Sequence, residues 1–175
     1  MVIEGKISKE SIDAVKKNII ENDHFPWYWL DKPVTKKHPG MHHTLIPRYN
    51  YDTNEGYRIN SPYHDLFNKI FSDFCKTKKI KIKRILRSQL NLTWSFKAEY
   101  SEPHIDHEFK HSICIIYLNP FSKGSTYLFK ENKMVKEIKA EEGKIVVFPG
   151  IKHATGFCKE ENERRIICII SFEKQ

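Results

Sequence analysis

His104-Ile105-Asp106 lies in the segment EPHIDHE, just ahead of the apolar run HSICIIYLN at 111–119. In an extended segment, residues two apart project from one face, so this imidazole and this carboxylate reach a single point together. His153 follows FPG, where Pro149-Gly150 ends a strongly apolar run, and brings a third ligand from a distant part of the chain. Two imidazoles and one carboxylate on one face of a metal leave the opposite positions open, which suits ferrous iron working with oxygen. Arg164 and Arg165 open the last apolar run, RRIICIISF, where a guanidinium can take a co-substrate carboxylate through paired hydrogen bonds. A His-x-Asp pair alone carries little in a chain with nine histidines. The competing reading makes His104 and Asp106 a surface pair, His153 a turn cap and both arginines solvated.

Such ligands need a scaffold, and the pattern after residue 80 supplies one. KIKIKRILRSQLNLTWSF alternates as a strand does when one face is buried. HSICIIYLN, STYLFK, MVKEI, GKIVVFP and RRIICIISF follow, separated by turn signals such as NPFSKG, AEEG and PG. Six short strands without intervening helices predict an antiparallel sandwich or barrel. The front half differs. Residues 8–22 read as a helix capped by Ser8, with Ile12, Val15, Ile19 and Ile20 on one face. A second helix is predicted from Ser61, with Pro62 in its first turn and Leu66, Ile70, Phe71 and Phe74 as its buried stripe. Between them, 23–60 reads as irregular, with the basic loop TKKHPGMHH and an aromatic stretch at 25–30. One domain over 1–175 is expected: a helical and looped front at 1–80 and a strand core at about 81–175.

With 39% hydrophobic and 13% aromatic residues, the composition excludes a disordered chain. No apolar stretch approaches the ~18 residues of a membrane span and no signal-peptide run opens the sequence, so a soluble, cytoplasmic protein is expected. The four cysteines form no CxxC pair and read as small core residues, not a zinc or disulfide framework. Part of the net charge of +8 is local, since Lys76, Lys78, Lys79, Lys81, Lys83, Arg84 and Arg87 fall in a stretch without acids. That stretch is either a phosphate-attracting patch or a solvated helix end followed by a lysine-protected edge strand.

EPHIDHEF, SICIIYLNPFSKGSTYLF, GKIVVFPGIKHATG and RRIICIISF, in that order, resemble the 2-oxoglutarate/Fe(II)-dependent dioxygenases, especially the prolyl-4-hydroxylase-like branch. The resemblance covers residues 84–173, and the front segment DHFPWYW is similar to small marine phage and bacterial members. It implies an α+β, mainly β fold: a double-stranded β-helix, or jelly roll, buttressed by N-terminal helices. It implies Fe(II) on His104, Asp106 and His153, with 2-oxoglutarate and O2 as co-substrates and ascorbate as a candidate reductant. It assigns the far carboxylate of 2-oxoglutarate to Arg165 in preference to Arg164, aided by Tyr117, with Trp94 lining the same pocket and Ile113, Ile115, Val147 and Ile167 or Ile169 as apolar walls. The implied reaction is hydroxylation with release of succinate and CO2, on a prolyl or other peptide residue or a small amino-acid-like metabolite. Two alternatives stay open. One is a nucleic-acid oxygenase or demethylase on the same core, using the 76–87 stretch and Trp27, Tyr28 and Trp29. The other is a non-catalytic, cupin-like module in which His104 with His107 or His111 binds a metal or none. Oligomeric state is not readable.

Overall fold

The computed structural model describes residues 1–31, 38–50, 52–53 and 55–175. Residues 35–37 of the TKKHPGMHH loop lie outside the described residues. Ten strands and two α-helices occur among them, and all strand pairings are antiparallel. The strands are β1 (Ile3–Lys6), β2 (Tyr28–Leu30), β3 (Gly40–Ile46), β4 (Ile82–Thr93), β5 (Ser112–Tyr117), β6 (Thr126–Lys130), β7 (Lys133–Ile138), β8 (Lys144–Pro149), β9 (His153–Thr155) and β10 (Arg165–Lys174). A seven-stranded sheet runs in the order β1-β8-β5-β10-β4-β3-β2, and a smaller one in the order β7-β6-β9. Among the described residues no helix is long and apolar enough to cross a membrane.

The predicted first helix forms, with a change of winding. Ser8 Oγ accepts from the Ser11 amide and caps α1 (Lys9–Val15). The chain then widens into a π-helical turn, Lys16–Ile20. Ser8→Ala removes the acceptor for that orphan amide and is expected to cost ~1 kcal/mol, read as a fall of ~2–4 °C in the melting midpoint. The second helix, α2 (His64–Thr77), starts later than predicted, so Pro62 precedes it instead of occupying its first turn. Its buried stripe is His64, Phe67, Ile70, Phe71, Phe74 and Cys75; Phe67 takes the place expected for Leu66, which is only partly buried.

Both helices cover one face of the large sheet. That side buries Cys114, Ile116, Ile145, Val147, Ile166, Cys168, Ile170 and Phe172 against Val15, Ile19, Phe67, Phe71 and Phe74. Their neighbours in sequence, Ile113, Ile115, Tyr117, Val146, Phe148, Ile167 and Ile169, face the other way and pack with Leu128 and Ile138 of the small sheet. The alternation follows from the two-residue period of a strand. It corrects one expectation: Val147 faces the helices, and Val146 and Phe148 take the inner side.

The stretch expected to be irregular contains β2 and β3, which extend the sheet beyond β4. Its aromatics divide: Trp27 packs on the helix-side core, whereas Tyr28 and Trp29 are exposed. The basic stretch also divides. Glu173 reaches back to Lys83 at 3.5 Å and to Arg84 at 3.0 Å, and the Arg84 guanidinium lies 5.2 Å from the Tyr49 ring centroid. All four cysteines are free and buried.

Candidate metal centre

β9 and the segment before β5 bring the first two ligands together through their backbones. The His104 amide donates to the His153 carbonyl at 2.9 Å, and the His153 amide returns the bond to the His104 carbonyl at 2.9 Å. The imidazole centroids stand 4.6 Å apart. Asp106, two residues on, turns its Oδ1 to 3.6 Å from His104 Nε2. One ligand atom from each of His104, Asp106 and His153 lies within 4.8 Å of the others, the only such cluster among the described residues.

The ring nitrogens are sorted by their second partners. His153 Nδ1–H donates to the Ile151 carbonyl at 2.9 Å, and His104 Nδ1–H donates to the Glu102 carbonyl at 3.3 Å. A carbonyl only accepts, so each Nδ1 carries a proton, which leaves each Nε2 as the nitrogen that would turn to a metal. Burial pushes the His153 imidazole below its usual titration range, partly offset by Asp106. For Asp106, burial alone would raise the carboxyl. His153, Arg87, His104 and Arg48 together outweigh it and hold the group below its ordinary value, as a carboxylate.

These three residues open onto a cavity of about 290 Å³ between the sheets. Its wall carries Arg87, Gln89, Asn91 and Thr93 of β4, alternate residues facing inward, with Ile115, Ile167 and Ile169 as its apolar part. Ile113 packs in the same inner core without lining the cavity. Arg165 closes one end and is only 1% exposed. Its Nε donates to the Gly124 carbonyl at 2.8 Å and its Nη2 to Thr126 Oγ1 at 3.2 Å, while Tyr117 Oη lies 2.8 Å from the same threonine oxygen. Burial raises the Tyr117 phenol and keeps it protonated. Arg164 stays outside this group and outside the cavity wall.

Gly124 adopts φ +63°, a left-handed turn that aims its carbonyl at Arg165. The turn rests on Gly156, where an added methyl would stand 2.5 Å from the Ser125 carbonyl oxygen and 2.8 Å from its amide nitrogen. Gly156→Ala must therefore shift the backbone that holds Arg165. The expected cost is ~1–3 kcal/mol, read by thermal melting as a fall of ~2–12 °C.

Trp94, expected in the pocket, stacks between Trp29 (6.1 Å) and Phe96 (5.8 Å) and packs on the helix-side core; Thr93 is the cavity residue at that end of β4. His107 and His111 do not join the cluster. His107 Nε2 pairs with Ser171 Oγ at 3.0 Å, and burial drops its imidazole to about 4; His111 Nδ1–H donates to the Phe109 carbonyl at 2.8 Å. Arg48, Arg87, Gln89 and Asn91 were not singled out as site residues from sequence. The signal for the β4 residues is the polar half of the alternation Arg87-Ser-Gln-Leu-Asn-Leu-Thr93.

No protein-family model and no curated protein matches the sequence. Solved structures do match. An oxidoreductase of the 2OG-Fe(II) oxygenase family from Burkholderia pseudomallei superposes with a TM-score of 0.64 at 16% identity, over 94% of this chain and 76% of its own. A viral collagen prolyl hydroxylase from Paramecium bursaria Chlorella virus-1, in complex with 2OG, gives 0.60 at 14% identity, over 97% and 94%. A prolyl hydroxylase from Trichoplax adhaerens, in complex with a hypoxia inducible factor oxygen degradation domain peptide fragment, gives 0.64 at 13%, over 99% and 82%. Mostly β, with two helices and antiparallel sheets, the chain has the fold of the 2OG-Fe(II) oxygenases and prolyl hydroxylases.

Proposed function

We propose that this chain is a 2-oxoglutarate- and Fe(II)-dependent oxygenase built on a jelly roll, with His104, Asp106 and His153 as its iron ligands. The observation that carries the reading is the convergence of these three donors on a cavity whose far end is closed by a buried arginine. The donor set fits the metal: two imidazoles whose Nδ1 is engaged by a carbonyl and whose Nε2 is available, one carboxylate held ionised, and, among the described residues, no fourth ligand to close the site. Ferrous iron with 2-oxoglutarate and O2 supplies oxygen insertion into an unactivated C–H bond, with release of succinate and CO2.

The protein supplies orientation and exclusion. Arg165 takes the far carboxylate of 2-oxoglutarate, and its position is fixed in advance by Gly124 and Thr126. Tyr117 stays protonated beside it, and its hydroxyl holds Thr126 in place. Ile115, Ile167 and Ile169 line the space between carboxylate and ligands and keep water out of it. The substrate is a prolyl or other residue of a peptide, or a small amino-acid-like metabolite. The peptide-bound Trichoplax structure supports the first class.

The test is anaerobic addition of Fe(II), then 2-oxoglutarate, to the purified protein. A visible charge-transfer band that needs both additions is the expected result. Iron binding without a band removes 2-oxoglutarate from the reading, and failure to bind iron removes the oxygenase.

A further inference from the structure

Three arginines line the cavity, Arg48, Arg87 and Arg165, against one acidic residue, Asp106, among the described residues. Under the proposed function, on which this inference rests, the charges of a dication, Asp106, the 2-oxoglutarate dianion and Arg165 cancel. Arg87 and the exposed Arg48 are then left over. The Arg87 Nε is buried without a hydrogen-bond partner, and burial lowers its guanidinium, with Asp106 opposing and Arg48 adding to that effect. A half-buried guanidinium with an unmet donor favours a counter-charge at that point.

Arg165 and Arg87 serve opposite ends of the cavity. Arg165 pairs in register with Thr93, and Ser171 with Arg87. That is six residues along β10 (165 to 171), about 20 Å at ~3.3 Å per residue. Arg165 is committed to Gly124, Thr126 and the Tyr117 ring, whereas Arg87 faces Asp106 beside Ser171 and His107. One short dicarboxylate anchored at Arg165 does not also neutralise Arg87. Arg48 stands exposed at the mouth, anchored by donating to the Asp106 carbonyl, and extends the positive field outward.

We propose that Arg87, with Arg48 at the entrance, is a carboxylate-recognition subsite for the primary substrate, so that the compound oxidised carries a carboxylate near the C–H bond attacked. That carboxylate comes from a free amino acid, from a peptide C-terminus or from an acidic side chain. A planar guanidinium donates two parallel hydrogen bonds to such a group and only poorly to an amide.

The experiment uses the protein loaded with redox-inert Zn(II) and 2-oxoglutarate, titrated calorimetrically. The probes are free L-amino acids, N-acetyl amino acids and their C-terminal amides, and blocked peptides with an internal Asp or Glu. At least one acid should bind tenfold or more tighter than its amide, and the class that does so identifies the source. Arg87→Met should shrink that ratio to twofold or less while 2-oxoglutarate affinity stays within twofold. Arg48→Met, at an exposed position, should shrink it severalfold and serves if Arg87→Met fails to fold. No acid–amide difference in any pair overturns the inference, as does a ratio that survives both variants. Zn(II) affinity that falls in Arg87→Met with the ratio intact assigns Arg87 to holding Asp106 and also overturns it. Absence of 2-oxoglutarate binding in the unmodified protein counts against the proposed function instead, and is read separately.

Discussion

Asp106→Ala is expected to abolish the charge-transfer band and to cut 2-oxoglutarate turnover by ~10³-fold or more, beyond the ~10–100-fold that loss of a supporting residue costs a metal site. The carboxylate is the only anionic ligand in the cluster, and it is the one flanked by Arg48 and Arg87. Its removal leaves two imidazoles to hold a hard ferrous ion beside uncompensated positive charge. The pair that remains stays in place, because His104 and His153 are joined by reciprocal backbone bonds that do not involve Asp106. The variant should therefore keep its circular dichroism spectrum while equilibrium dialysis shows weakened iron binding. Stoichiometric iron together with turnover within tenfold of the parent would remove Asp106 from the ligand set.

Arg165→Met produces the second large effect, and a different one. Iron affinity should be unchanged and the Kd for 2-oxoglutarate should rise by about 100-fold, the equivalent of ~3 kcal/mol for paired hydrogen bonds to a charged group. Methionine fills much of the space but donates nothing, so the Gly124 carbonyl and Thr126 Oγ1 lose their partner in a buried place. That loss adds ~1–3 kcal/mol of instability, visible as a lower melting midpoint without metal or co-substrate. Arg165→Lys restores the charge but not the fork, and should recover only part of the affinity. A Kd within threefold of the parent in Arg165→Met would show that another group holds the carboxylate. Arg164→Met is the control; its side chain lines no part of the cavity, and binding should not change.

The centre of the molecule was readable from sequence because its strands carry uninterrupted physical signals. HSICIIYLN, GKIVVFP and RRIICIISF are apolar on both faces, since helices cover one side and the small sheet the other. His104 and Asp106 obey the two-residue period, so their shared direction followed from spacing. The front was harder for identifiable reasons. β3 begins at Gly40, directly after Pro39, and contains His42 and His43, a composition typical of loops. Yet His43 is buried because its ring nitrogens meet the Pro26 carbonyl and Ser61 Oγ, partners that exist only once the chain has folded. β2 and β9 are three residues each, too short for any period. Arg87 looked like the end of a basic run, but a register shift opposite Ser171 and Phe172 leaves Leu86 as an extra residue. That bulge separates Arg87, facing the cavity, from Lys83 and Arg84, which meet Glu173.

From Arg87 to Thr93 on β4 and from Arg165 to Ser171 on β10, on one side of the bulge, the inward–outward alternation divides tolerance to change by residue parity. Along β4 Leu90, and along β10 Ile166, Cys168 and Ile170, answer to the helices, whereas Leu92 packs there and also borders the cavity. The odd positions Gln89, Asn91, Ile167 and Ile169 answer to whatever occupies the cavity. Polar variation at the helix-side positions, or at the buried Ile167 and Ile169, lowers the amount of folded protein, whereas variation at Gln89 and Asn91 leaves abundance largely intact and retunes what the cavity accepts. Under the proposed function, substrate preference can therefore drift one cavity residue at a time, on strands whose other face holds the fold steady.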